Sequence, residues 1–123
     1  MLSRLYRGKS VFSSMLFYIT SNNDDDRSGP AHFFFVIESM VSAAESMGLS
    51  REAAEPLVIQ SCLGAGFLAR ATSKPVASLR KEVCVPGGST EKAISHLDQG
   101  GIQELFKAAT QKSLDANLKM RFC

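Results

Sequence analysis

From residue 31 onward the apolar positions follow a helical rhythm. Phe33, Ile37, Met40, Val41, Ala44 and Met47 recur mostly at spacings of three and four, which gathers them on one stripe of an α-helix. Phe34, Phe35 and Val36 point elsewhere, so this helix is apolar over most of its circumference and needs cover on several sides. Pro30 suits its first turn and Gly48 its end. Ser50 is placed to cap a second helix that opens Arg51-Glu52-Ala53-Ala54 and runs to about Ala71. No charge lies between Glu55 and Arg70, while Leu57, Ile59, Leu63, Phe67 and Leu68 spread around the axis. Pro56, inside that stretch, is expected to kink or delay the helix. A domain of about 95 residues does not easily surround two such helices alone. The pattern therefore predicts an intertwined homodimer, the alternative being cover by another domain.

The remaining pattern is also helical. Pro75 begins a short helix containing Val76, Leu79, Arg80 and Val83, which leads into Val85-Pro86-Gly87-Gly88-Ser89-Thr90. Pro86 stops the preceding helix, the two glycines leave the backbone amides uncovered, and Ser89 or Thr90 is expected to cap a helix through Leu97. Such a loop is either a plain helix–helix connection or, with amides gathered at a helix N-terminus, a seat for a carboxylate or phosphate. The next helix closes at Gly100 or Gly101. A last one runs from about Ile102 to Met120, with Leu105, Ala108, Ala109, Lys112 and Ala116 to one side. The fold class is all-α, with several helices in one domain over residues 28–121.

Residues 1–27 read differently. The start is basic, rich in Ser and free of acids through Asn23, as in a mitochondrial targeting peptide, and an unstructured segment is the alternative. The polar run Ser21–Gly29 then marks the domain boundary. Cytoplasm and mitochondrion both suit the chain. The apolar run Val11–Ile19 is too short to span a bilayer, so no membrane partner is expected.

Composition narrows the chemistry. The chain is 45% hydrophobic and 21% charged, with a net charge of +2, which gives no footprint for nucleic acid. Cys62, Cys84 and Cys123 are widely spaced, and His32 and His96 sit far from any paired ligand, so neither a disulfide framework nor a metal site is expected. Gly64-Ala65-Gly66-Phe67-Leu68-Ala69, with Glu82 further on, matches a dinucleotide fingerprint. That reading needs a parallel sheet, for which the chain has no buried strands. The preferred reading is that these small residues let another helix approach closely.

Separated motifs then agree with one family. Ser28-Gly29-Pro30-Ala31, Glu38, Gly48-Leu49, Arg51, Leu63-Gly64-Ala65-Gly66, Leu79-Arg80, Glu82-Val83 and Pro86-Gly87-Gly88-Ser89-Thr90 resemble, in order and spacing, the C-terminal dimerisation domain of pyrroline-5-carboxylate reductases. The resemblance covers about residues 27–121 and implies an all-helical dimerisation domain. It implies NADPH- or NADH-dependent reduction of 1-pyrroline-5-carboxylate to L-proline. It places Thr90 beside the imine as the catalytic hydroxyl, and the amides of Gly87, Gly88, Ser89 and Thr90 around the substrate carboxylate. Val85 stands where the family motif usually has Ser, a loss of about 1–3 kcal/mol of binding if that hydroxyl is used. The family's N-terminal dinucleotide domain has no counterpart in residues 1–27. The chain is therefore expected to bind no cofactor and to be inactive by itself. It is read as the second part of a reductase or, alternatively, as a non-catalytic module joining full-length reductase subunits.

Overall fold

The computed structural model describes residues 28–122, and the expectations for residues 1–27 lie outside the described residues. Five α-helices follow one another: α1 (Ser28–Ser46), α2 (Arg51–Ala71), α3 (Val76–Val83), α4 (Ser89–Gln99) and α5 (Ile102–Phe122). No strand occurs among the described residues, so the all-α expectation holds. The chain divides after Thr72 into two compact units, one holding α1 and α2 and the other α3 to α5.

In the first unit α1 and α2 pack together across a short connection. Gly48 makes that connection possible. Its φ of +99° is a left-handed value, and its amide and that of Leu49 bond back to the carbonyls of Glu45 (3.0 Å) and Ala44 (3.2 Å). These two bonds satisfy carbonyls that the end of α1 would otherwise leave open. Ser50 takes the N-cap position of α2 but makes no side-chain capping bond, contrary to the role expected of it. Its carbonyl instead accepts the amides of Ala53 (3.1 Å) and Ala54 (2.9 Å). Arg51 then reaches back with Nε and Nη2 to the two carboxylate oxygens of Glu45, at 3.2 Å each, tying the first turn of α2 to the end of α1. The hydrogen bond to Glu45, and then its charge, raise the Arg51 pKa above its ordinary value. The pair is exposed, so its part is to orient rather than to hold the unit together.

Pro56 neither delays α2 nor ends it, and the helix is assigned continuously from Arg51 to Ala71. Proline supplies no amide to the carbonyl of Glu52, but Glu52 and Pro56 are both exposed, where water can take that bond. The packing of the unit is thin. Val41 (3% exposed) and Ala54 (1%) are its buried side chains, with Ile37 and Ala44 of the predicted stripe half-buried. Phe33, Met40 and Met47 of the same stripe stay exposed, as do Phe34, Phe35, Leu57, Leu63, Phe67 and Leu68.

In the second unit Pro75 is the N-cap of α3, and its carbonyl accepts the amides of Ser78 and Leu79. Lys74 and Glu82 pair at 2.6 Å along this helix. Helices α4 and α5 pack together across Gly100-Gly101. Gly101 has φ +74°, and its carbonyl accepts the Leu105 amide at 3.0 Å, so the turn that ends one helix also starts the next. Among the described residues of this unit none is fully buried.

Ala54 is the closest-packed position of the first unit. Ala54→Leu is expected to lower stability in urea unfolding by about 1–3 kcal/mol, the cost of forcing volume into a filled contact.

Candidate anion-binding loop

The loop between α3 and α4 starts where the Cys84 amide closes α3 on the Arg80 carbonyl at 3.1 Å. Four residues then reverse the chain. The Gly88 amide donates to the Val85 carbonyl at 2.9 Å, Pro86 holds the second position, and Gly87 holds the third with φ +76°. Proline followed by a left-handed glycine is the sequence of a type II turn. Gly88 is tied to the turn as well: a Cβ on it would lie 2.9 Å from the Val85 carbonyl oxygen, a backbone atom that cannot swing away. Both glycines are thus required, one for its angle and one for its missing side chain.

Gly88, with φ −77° and ψ 165°, is the N-cap of α4, and Ser89 and Thr90 are already the first two helical residues. The expectation that Ser89 or Thr90 caps this helix is corrected here. The turn closes at Gly88, and the chain becomes helical at the next residue, so neither hydroxyl stands ahead of the helix. The cap comes from the other direction. Glu91 Oε2 accepts the Gly87 amide at 2.6 Å, a glutamate at the third helical position reaching back over the start of its own helix. The signal was the spacing Gly88-x-x-Glu91, a capping-box spacing with Gly in place of Ser or Thr.

Among the four amides expected around a carboxylate, that of Gly87 is held by Glu91 and that of Gly88 by Val85. The amides of Ser89 and Thr90 precede the first bond of the helix, Lys92 amide to Gly88 carbonyl at 3.3 Å, and so have no helical acceptor. Ser89 and Thr90 are exposed, and Val85 presents an exposed apolar side chain at the mouth of the turn. The loop brings all the predicted site residues into one short segment at a helix N-terminus, where an anion is favoured.

The fingerprint-like Gly64–Ala69 lies inside α2, a helix with no strand before it, so its amides belong to the helix rather than to a phosphate cradle. This motif therefore does not form a dinucleotide cradle. An added Cβ at Gly64 or Gly66 would meet nothing within 4 Å among the described residues, so the close approach expected there is not made by α1. Among the described residues no cluster of His, Cys, Asp or Glu could hold a metal ion, and no helix is long and apolar enough to cross a membrane.

Fold and loop together define an all-helical domain with over-apolar hairpin helices and an amide-lined turn. The family profile described as pyrroline-5-carboxylate reductase dimerisation matches residues 27–120, and the chain belongs to that family. It is 47% identical over 93 residues to a delta-1-pyrroline-5-carboxylate reductase of Gibberella fujikuroi, covering 76% of this chain and 32% of that protein. It is 39% identical over 92 residues to the pyrroline-5-carboxylate reductase of Pseudomonas aeruginosa, covering 72% and 34% respectively. The solved reductase of Coxiella burnetii superposes with a TM-score of 0.68 at 39% identity, over 79% of this chain and 34% of that one. The Plasmodium falciparum enzyme, solved with NADP bound, gives 0.69 at 27% identity over 79% and 36%. The chain spans about a third of the length of the curated relatives it matches.

Gly87→Ala is expected to cost about 1–2 kcal/mol of stability in urea unfolding, the penalty of a left-handed angle on an L side chain.

Proposed function

We propose that this chain is the helical, subunit-joining part of a pyrroline-5-carboxylate reductase, which reduces 1-pyrroline-5-carboxylate to L-proline with NADPH or NADH. The observation that carries the proposal is the coincidence of two features. The Pro86–Thr90 loop keeps the family motif at a helix N-terminus, and α1 and α2 keep apolar faces that stay exposed among the described residues. Membership of a family described by dimerisation supports covering those faces with a second copy, in an intertwined homodimer. Substrate-side roles fall to Thr90, whose hydroxyl hands a proton to the imine nitrogen, and to the amides of Gly87, Ser89 and Thr90, which hold the carboxylate while that of Gly88 stays on the Val85 carbonyl. The hydride donor is held by residues other than these helices.

A second reading, a non-catalytic module that joins full-length reductase subunits, draws on Val85, which removes a hydroxyl from the carboxylate side of the loop. The endogenous protein decides between them. An immunoblot against α5 showing a band near roughly 30 kDa, the size of two ordinary domains, supports the reductase. A sole band at 13.3 kDa, without NADPH oxidation on addition of 1-pyrroline-5-carboxylate, supports the module.

Light scattering of the purified chain should give twice 13.3 kDa. Leu63→Glu with Phe67→Glu, which puts two charges on the exposed face of α2, should return it to the monomer mass. A wild-type monomer at micromolar concentration would overturn the dimer.

A further inference from the structure

The Gly87 amide is the donor that the proposed carboxylate site needs and also the donor that Glu91 already holds. The bond is 2.6 Å long and comes from a carboxylate of this same chain. The neighbouring Gly88 amide is fixed on the Val85 carbonyl and takes no part in the contest. A ligand carboxylate arriving at Ser89 and Thr90 therefore meets a negative charge on the nearby Gly87 amide, which is occupied. We infer that Glu91 is an internal competitor: its carboxylate stands in for the ligand's on the Gly87 amide, and must turn aside for a ligand carboxylate to engage the whole loop. This inference rests on the reading of the loop as a carboxylate site and adds a residue that sets its affinity.

The chemistry favours exchange rather than a permanent seal. Glu91 is exposed and joined to the helix by rotatable bonds, so it reaches the amide without being packed there. The field that attracts it, that of the α4 N-terminus, attracts any carboxylate equally. A bound ligand gains the Ser89 and Thr90 amides, which Glu91 is not seen to engage. Glu91 is thus a stabiliser of the empty loop whose removal exposes the Gly87 donor. It is an affinity-setting residue, not a catalytic one.

The test is a titration of the full ¹⁵N-labelled chain with L-proline at constant pH, following the amide signals of Gly87, Ser89 and Thr90. Pyrrolidine, the same ring without its carboxylate, is the control. Glu91→Gln keeps an oxygen that can accept the Gly87 amide but removes the charge, so the loop stays folded while the competitor weakens. The expected result is proline binding about three- to tenfold tighter than in the wild type, the scale on which charged and neutral hydrogen bonds differ, with no response to pyrrolidine. Glu91→Ala should tighten it at least as much. Equal or weaker proline binding by Glu91→Gln, with the amides still responding, would overturn the inference and leave the carboxylate site standing. No response of these amides to proline in either protein would remove the carboxylate site and the inference together.

Discussion

Burial is the constraint on which the rest of this chain depends. Helices α1 and α2 carry apolar side chains on nearly all sides, yet their mutual contact buries only Val41 and Ala54 among the described residues. Burying one Phe or Leu side chain stabilises by about 1.5–3 kcal/mol. The exposed Phe33, Phe34, Leu57, Leu63, Phe67 and Leu68 therefore represent a larger driving force than the contact the two helices make with each other. The absence of charge from Pro56 to Ala69 and the small residues Gly64, Ala65 and Gly66 follow the same logic. The helix presents a surface that stays exposed among the described residues, and the proposed dimer would cover it.

The loop before α4 shows a second economy. A type II turn, a helix start and the proposed carboxylate seat draw on the same few backbone groups. Pro86 and Gly87 set the angles, Gly88 leaves room for the Val85 carbonyl, and the helix field does the rest. Because each amide has one hydrogen to give, the bonds that Gly87 and Gly88 make within the chain compete with the proposed binding use of the loop.

The helices were legible because their evidence is periodic and redundant. Every turn of α1 and α2 repeats the apolar signal, and Gly48, Pro75, Gly100 and Gly101 mark their ends by backbone requirements that few other residues meet. What was not legible depended on single bonds. Ser50 has the composition of a cap but does not use its hydroxyl, and Ser89 and Thr90 fall one residue inside the helix because the preceding turn closes at Gly88. Pro56 carried a strong local veto that an exposed early turn tolerates. The candidate site is legible as a segment because Gly87 and Gly88 meet backbone demands of the turn that other residues do not. The bond of Glu91 to the Gly87 amide is compatible with the spacing, but only the structure shows it.

The short joins at Gly48–Ser50 and Gly100-Gly101 have a kinetic consequence. Each links two helices that pack on one another, so the contacts within a unit connect residues close in sequence, and chains of that kind fold in microseconds to milliseconds. In the proposed dimer, covering the exposed faces is instead a bimolecular step whose rate rises with concentration. A newly made chain would thus finish its helices early and then wait, with phenylalanines and leucines in water, for a partner. Surface of this kind is open to aggregation until, in the proposed dimer, a partner covers it.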